Sequence, residues 1–215
     1  MKTISNKKKL IKIINNEKNL GFVPTMGALH RGHLSLIKAS KKLCNKTLVS
    51  IFVNKPQFNK KNDFRKYPRS IKKDISMLKK FKVNYLFLPS MKEMYPRGVN
   101  KKIKIIPFSK MLCGKFRPGH FESIADVIDR FIKIINPKKI FLGKKDMQQL
   151  KIIESFVKKK YPLIKIVGCK TIRENSGIAI SSRNSLLSNK EVIIASNIYK
   201  LLKKYKKKLI NKKIE

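Results

Sequence analysis

Two of the chain's three histidines fall in one decapeptide, Pro24-Thr25-Met26-Gly27-Ala28-Leu29-His30-Arg31-Gly32-His33. The decapeptide closes an apolar run that reads as a strand, Leu20 to Pro24, and precedes helical spacing at Leu36, Ala39 and Leu43. Gly27 and Gly32 remove side chains, so backbone can approach a ligand closely. A helix opening near Gly32 aims free N–H groups and a positive dipole end at the loop, which makes an anion site. His30 and His33, protonated or as N–H donors, can stabilise charge developing on a phosphate there. A bare His-x-x-His would fit a helix cap equally well; the strand–glycine–histidine–helix setting is what favours chemistry.

Four further segments carry polar chemistry, three of them with glycine or proline in the segment. Val53-Asn54-Lys55-Pro56-Gln57-Phe58 offers Gln57 as a hydrogen-bonding partner for a small substrate. Phe116-Arg117-Pro118-Gly119-His120-Phe121 offers Arg117 to a phosphate and His120 as a ligand contact or a helix cap. Gly143-Lys144-Lys145-Asp146, followed by Gln148 and Gln149, supplies lysine charge to a polyphosphate, an acidic N-cap, and Gln149 as a polar contact. Ile180-Ser181-Ser182-Arg183-Asn184 puts hydroxyls and a guanidinium in a short loop. All five segments read as loops after strands, and together they describe a nucleotide pocket with a small-molecule pocket beside it.

The elements that must hold these loops alternate. Strands are expected at Leu20–Pro24, Thr47–Val53, Val83–Leu88, Lys139–Leu142 and Ile164–Val167. Helices fall between them, at Ile71, Ile75 and Leu78, from about Gly119 to Asn136, and from Asp146 to Lys159. The Gly119–Asn136 helix sets Phe121, Ile124, Ala125, Ile128, Ile132 and Ile135 on one face and Glu122, Asp126, Asp129 and Lys133 on the other. Apolar runs without alternation imply a strand buried on both faces. The expected fold is therefore α/β, a Rossmann-like parallel sheet with helices on both faces, with ligands beyond the strands' carboxyl ends. A capping-box spacing at Ser188-Asn189-Lys190-Glu191 opens one more helix, with a stripe at Ile194, Ile198, Leu201 and Tyr205 before a lysine-rich tail. Residues 1–187 are expected to form the catalytic domain and 188–215 a shortened C-terminal remnant.

Composition narrows the class. Hydrophobic residues make up 42% of the 215, enough for a core, and no apolar run reaches the roughly 18–20 residues of a membrane span. Met1 to Leu20 lacks the continuous apolar core of a signal peptide, and three separated cysteines form no Cys-x-x-Cys, which points to a reducing cytoplasm. The formal charge is +41, from 53 Lys+Arg against 12 Asp+Glu. Lysine is spread along the whole chain with Asn and Ile. That fits compositional drift and non-specific sticking to polyanions better than a dedicated nucleic-acid face.

The stretches PTMGALHRGHLSL, VSIFVNKPQF with DFRKYPRS, LFLPSMKEMYP, LCGKFRPGHF, FLGKKDMQQL and IAISSRNSLLS stand in the order found in the pantothenate synthetases (pantoate–β-alanine ligases), which this chain resembles from Val23 to about Ser188. These belong to the His-x-x-His nucleotidyltransferase superfamily. The resemblance implies ATP-dependent condensation of pantoate with β-alanine through an acyl adenylate, with Mg²⁺ accompanying ATP and a homodimer as the assembly. It implies ATP contacts along Met26, Gly27, Ala28, Leu29, His30, Arg31, Gly32 and His33, and along Gly143, Lys144, Lys145 and Asp146. Ile172 by its backbone, and Ile180, Ser181, Ser182 and Arg183, complete the nucleotide site. Gln57 and Gln149 hold pantoate, with Gln57 also near β-alanine. His33, His30, Lys145 and Arg183 carry the catalysis, and no residue is assigned to a metal.

Departures from the family pattern carry expectations too. The proline of the family's Asn-Pro-x-Gln stands one place later, at Pro56, which would shift the Gln57 loop. Lys144 replaces a usual Glu, and Glu122 and Ser123 stand where a basic or polar residue and Gly are common. The C-terminal domain that folds over the site in the family is reduced here to a helix and tail, so retained chemistry with weaker affinity or a leakier adenylate is expected. A decayed chain that binds nucleotide or nucleic acid without turnover is the alternative reading.

Overall fold

Each central strand feeds two cores at once, which is why its sequence runs apolar without alternation. β2 (Leu20–Thr25) gives Phe22 to one core and Val23 to the other, β3 (Lys46–Ile51) gives Leu48 and Val49, and β5 (Lys139–Gly143) gives Ile140 and Phe141. With β1 (Lys2–Ile4), β4 (Tyr85–Phe87) and β6 (Lys165–Cys169) they form one six-stranded parallel sheet in the order β1-β4-β3-β2-β5-β6. This computed structural model describes residues 1–211.

Helices cover both faces, as the sequence predicts. α2 (Arg31–Leu43) and α4 (Ile71–Lys80) bring Leu36, Ile37 and Leu78 to the core of Val23. α1 (Lys7–Ile14), α6 (His120–Ile135) and α7 (Met147–Lys160) bring Leu10, Phe131 and Ile153 to the core of Phe22. Two short helices, α3 (Lys61–Lys66) and α5 (Met91–Met94), lie in the connections. Gly21 lets α2 sit directly on β2: a Cβ there would fall 2.2 Å from Ser40 Oγ, itself hydrogen-bonded to Thr47 Oγ1 at 2.8 Å.

From β2 the chain winds outward through β3 and β4, then crosses to β5 on the other flank. The reversal opens a crevice beyond the carboxyl ends of β2 and β5, where ligands of doubly wound sheets bind. Three of the five polar segments lie there or beside it, after β2, β3 and β5. The other two do not follow sheet strands: Arg117–His120 opens α6, and Ile180–Asn184 follows an isolated antiparallel bridge between Arg173 and Ala179.

Two sequence expectations change. Met1–Leu20, read for targeting signals alone, supplies an edge strand and a helix: β1 pairs with β4, and α1 is capped by Asn6 and buries Leu10 and Ile14. The polar face expected on α6 is largely covered, because neighbouring segments fold onto it. Asp126 takes Arg130 Nε at 2.8 Å and the Asn100 N–H at 2.9 Å, and Asp129 takes Lys133, Lys160 and the Tyr161 hydroxyl at 2.7, 2.6 and 2.8 Å. Both carboxylates are buried, so each needs these partners.

The capping box predicted at Ser188 and Glu191 opens α8 (Asn189–Ile210). The helix touches the body through Tyr199, which packs on Gly177 and lies 3.8 Å under the Arg173 guanidinium. Its stripe of Ile194, Ile198, Leu201 and Tyr205 is exposed, and the end of the lysine-rich tail, 212–215, lies outside the described residues. Ile198→Lys is expected to change the free energy of unfolding by no more than about 0.5 kcal/mol in a urea melt; a larger loss would show that this face is covered in solution.

Candidate active site

Thr25 ends β2 with its hydroxyl donating to Ser50 O on β3 at 2.7 Å and accepting from the Gly27 N–H at 3.2 Å. The chain then turns through two left-handed residues, Gly27 at φ 80° and Ala28 at φ 49°. That turn sends the next two N–H groups, of Ala28 and Leu29, onto the Asp74 carboxylate of α4 at 2.9 and 2.8 Å. Glycine at 27 therefore serves the turn: its neighbours are Asp74 and Ile51, and it stands outside the cleft lining. Ala28 and Leu29 stand outside it as well, and Arg31 points outward to pair with Glu174. Pro24, Thr25, Met26, His30, Gly32 and His33 are the members of the decapeptide that line the cleft.

The two histidines cap α2 reciprocally. His30 Nδ1 accepts the Gly32 N–H at 3.1 Å, and His33 Nδ1 accepts the His30 N–H at 3.3 Å. A ring nitrogen that accepts carries no proton, so these bonds assign the proton of both neutral rings to Nε2. The rings stack with centroids 4.0 Å apart. Burial, then the neighbouring His30 and Lys145, push His33 down to about 3, and burial followed by Lys145 lowers His30 too. At neutral pH the pair is two neutral N–H donors, which removes the protonated form from the two states the sequence allows.

Gln57 is held by the residues around it. Asn54, fully buried, donates to Gln57 Oε1 at 3.1 Å and to Ser123 O at 3.2 Å, and accepts from the Tyr95 hydroxyl at 2.7 Å. Gln57 Nε2 reaches Met26 Sδ at 3.2 Å. From α6, His120 Nδ1 meets Gln57 O at 2.8 Å and the Ser123 hydroxyl donates to Pro56 O at 3.0 Å. The displaced proline thus sits inside a short 3-10 turn, Lys55–Gln57, that still delivers Gln57 to the cleft. His120 and Arg117 brace this turn and do not line the cleft; burial drives His120 down to about 4.

After β5, Gly143, Lys145, Asp146 and Gln149 line the opposite wall. Asp146 stands at the N-cap of α7, yet its carboxylate takes Lys145 Nζ at 2.8 Å and makes no cap bond. Lys144 lies against Gly168 of β6, outside the cleft, and Gln148 is spent on Phe108 O, Met111 O and the Cys113 N–H. Ile172, Ile180, Ser181, Ser182 and Arg183 close the mouth. Ser182 Oγ donates to Ala28 O at 3.0 Å, and Arg183 pairs through Nε and Nη2 with both oxygens of Asp63 at 3.0 Å, above Tyr67. That pairing leaves the Nη1 edge of the guanidinium without a partner among the described residues. The inner wall is apolar, from Phe52, Ile124, Val127, Ile128 and Phe131. The cleft has a cavity volume of about 240 Å³.

Sequence reasoning missed Asp74, Asn54, Asp63 and Tyr67. Each acts through a contact between segments far apart in sequence, for which spacing gives no signal.

A doubly wound parallel sheet with paired histidines, lysine and glutamine at its switch point defines an α/β protein with a polar cleft backed by an apolar wall. The family description "Pantoate-beta-alanine ligase" fits residues 1–215. The chain belongs to that family. It is 49% identical over 185 residues to the pantothenate synthetase of Sulfurihydrogenibium sp. (strain YO3AOP1), covering 86% of this chain and 66% of the relative. It is 43% identical over 213 residues to that of Buchnera aphidicola subsp. Acyrthosiphon pisum (strain APS), covering 98% and 75%. The crystal structure of pantothenate synthetase from Thermus thermophilus matches with a TM-score of 0.89 at 36% identity over 93% of this chain and 72% of that one. The pantoate-beta-alanine ligase of Francisella tularensis, complexed with beta-gamma ATP and beta-alanine, matches with 0.87 at 40% identity over 94% and 79%. The chain spans about two thirds to four fifths of the length of these proteins.

Proposed function

We propose that this chain condenses (R)-pantoate with β-alanine, using ATP and giving pantothenate, AMP and diphosphate. The observation that carries the reading is the meeting of the His30–His33 pair, Lys145, Gln57 and Gln149 around one cleft with an apolar inner wall. A pantoate carboxylate oxygen attacks the α-phosphorus, the bond to the β-phosphate oxygen breaks, and diphosphate leaves. The neutral amine of β-alanine then attacks the acyl carbon, AMP leaves with the carbon–oxygen bond's electrons, and the amine nitrogen gives up a proton. His33 and His30 donate Nε2–H to charge gathering on the α-phosphoryl group, Lys145 meets the leaving phosphates, and Arg183 offers its Nη1 edge. Gln57 and Gln149 hold pantoate's hydroxyl and carboxylate groups, while its gem-dimethyl carbon rests on Phe52, Ile124 and Val127. Ile172 faces the base, and Met26, Gly143, Ile180, Ser181 and Ser182 shape the nucleotide channel.

Among the described residues no group of three or more His, Cys, Asp or Glu side chains could hold a metal ion. Mg²⁺ is therefore read as arriving on the ATP phosphates, part of the substrate, where it neutralises charge. We further read the chain as a cytoplasmic homodimer of Rossmann-like subunits, residues 1–187 forming the catalytic unit and 188–215 a separate C-terminal segment. The start of α8 at Asn189 is what supports the boundary at 187/188. The alternative, a basic binding protein without turnover, is not favoured for a chain that fits the ligase family along its whole length.

AMP and diphosphate release from ATP is expected only when pantoate is present, and pantothenate only when β-alanine is added as well. Release that ignores pantoate would sink the reading.

A further inference from the structure

We propose that Asp74 is a positioning residue for the His30–His33 pair, a built-in anion around which the catalytic loop is wound. The proposal rests on the ligase reading for its kinetic test and on geometry alone for its spectroscopic one. Asp74 is 1% exposed and lies in the first turn of α4, where the helix dipole favours a carboxylate. Each of its oxygens takes one of two consecutive backbone N–H groups, Ala28 to Oδ2 and Leu29 to Oδ1, and the Ser70 hydroxyl adds a bond to Oδ1 at 3.3 Å. Successive N–H groups behind a left-handed turn form a concave anion nest. Here the nest is filled by the protein, not by a ligand.

The filled nest sets the path of the chain. Ala28 is a non-glycine residue held at φ 49°, a conformation disfavoured for a side chain with a Cβ, and the Asp74 bonds on either side of it hold it there. Leu29 leads directly into His30, whose extended backbone and ring cap α2. The Nε2–H direction of both histidines therefore follows from where Asp74 anchors the loop. The Ser182 bond to Ala28 O ties the mouth of the cleft to the same residue. An Asp74→Asn change keeps one acceptor and turns an NH₂ against a backbone N–H, so one anchor is lost and one donor is left facing another donor.

The test compares wild type, Asp74→Asn and Ser70→Ala. Its readouts are kcat, the KM for each substrate, thermal melting, and the ring ¹⁵N and ¹H resonances of His30 and His33 in the free protein. Wild type should show both rings as Nε2–H tautomers. In Asp74→Asn the ring resonances should move or split, and kcat should fall about 100-fold, the scale of a misplacement near 1 Å, with the KM for β-alanine changed less than about threefold. Ser70→Ala, which keeps both backbone anchors and should fold even if Asp74→Asn does not, should move the same resonances in the same direction and lower kcat about two- to fivefold. A lower melting temperature with unchanged ring resonances and unchanged kcat per folded molecule, in either variant, would overturn the proposal and leave Asp74 a purely structural residue. If wild type shows no ligase turnover, the ring resonances still decide the question, so failure of the function and failure of the positioning role are told apart.

Discussion

Replacing His33 by Asn is expected to cost about 10²–10³ in turnover while leaving the fold nearly as stable as before. The two ring nitrogens do different work. Nδ1 accepts the His30 N–H and closes the reciprocal cap of α2, and an Asn amide oxygen occupies that position. Nε2–H faces the cleft, and Asn has no atom at that reach. His33→Ala should lose both, adding about 1 kcal/mol of instability to the same catalytic loss. Stability should also report the neutral state of the rings. The folded protein holds His33 down at about 3, against 6.5 for the free group, so the unfolded chain binds more protons between these values. The contribution is full above about pH 6.5 and drains as the pH falls toward 3, at no more than about 1.4 kcal/mol per pH unit for one ring. Melts of wild type and His33→Asn between pH 7 and 5 should diverge, wild type losing stability faster. Parallel melts would mean that His33 titrates normally in the folded state.

Lys145→Met should lower turnover by a similar factor, about 10²–10³, through loss of a cleft-lining lysine whose charge acts on both histidines. Its effect should extend beyond the phosphates. Lys145 is among the causes that hold both rings below the ordinary imidazole value, so its removal should raise the pKa of His30 and His33 in an NMR titration. Lys145→Arg keeps the charge and should keep the ring titrations, while the bulkier planar head fits the site poorly. Loss of turnover in Lys145→Met without any movement of the histidine titrations would separate the lysine from the pair and confine it to the leaving phosphates.

The sheet was legible because Phe22–Val23, Leu48–Val49 and Ile140–Phe141 leave no room for a solvent face, and that pattern has one common solution. The cleft was legible for the same reason: glycine, histidine and lysine stood just past those runs. What stayed hidden depends on contacts between segments far apart. Asp74 is a lone acid in an ordinary helix until the fold brings it 46 positions back to Ala28. The acids of α6 look solvent-facing by periodicity, and only the chain folded over them buries Asp126 and Asp129. The Ile180–Arg183 segment shows its chemistry in sequence but not its support, which comes from an isolated bridge, the Ser182 bond to Ala28 O and a pairing with Asp63, 120 positions away.

The uneven balance of 53 basic and 12 acidic residues gains meaning from where the acids sit. Asp74, Asp126 and Asp129 are buried with partners, Glu93 accepts the Lys7 N–H across 86 positions, Glu17 takes the Tyr85 hydroxyl, and Asp63 holds Arg183. No lysine or arginine is among the buried residues described. Most of the basic side chains therefore lie on the surface, where lysine could accumulate without opening the core. These six acids behave as rivets, each with a partner far away in the sequence. A chain under steady pressure toward lysine would lose its acids in the reverse order of the work they do, and these six mark where that erosion would begin to cost the fold.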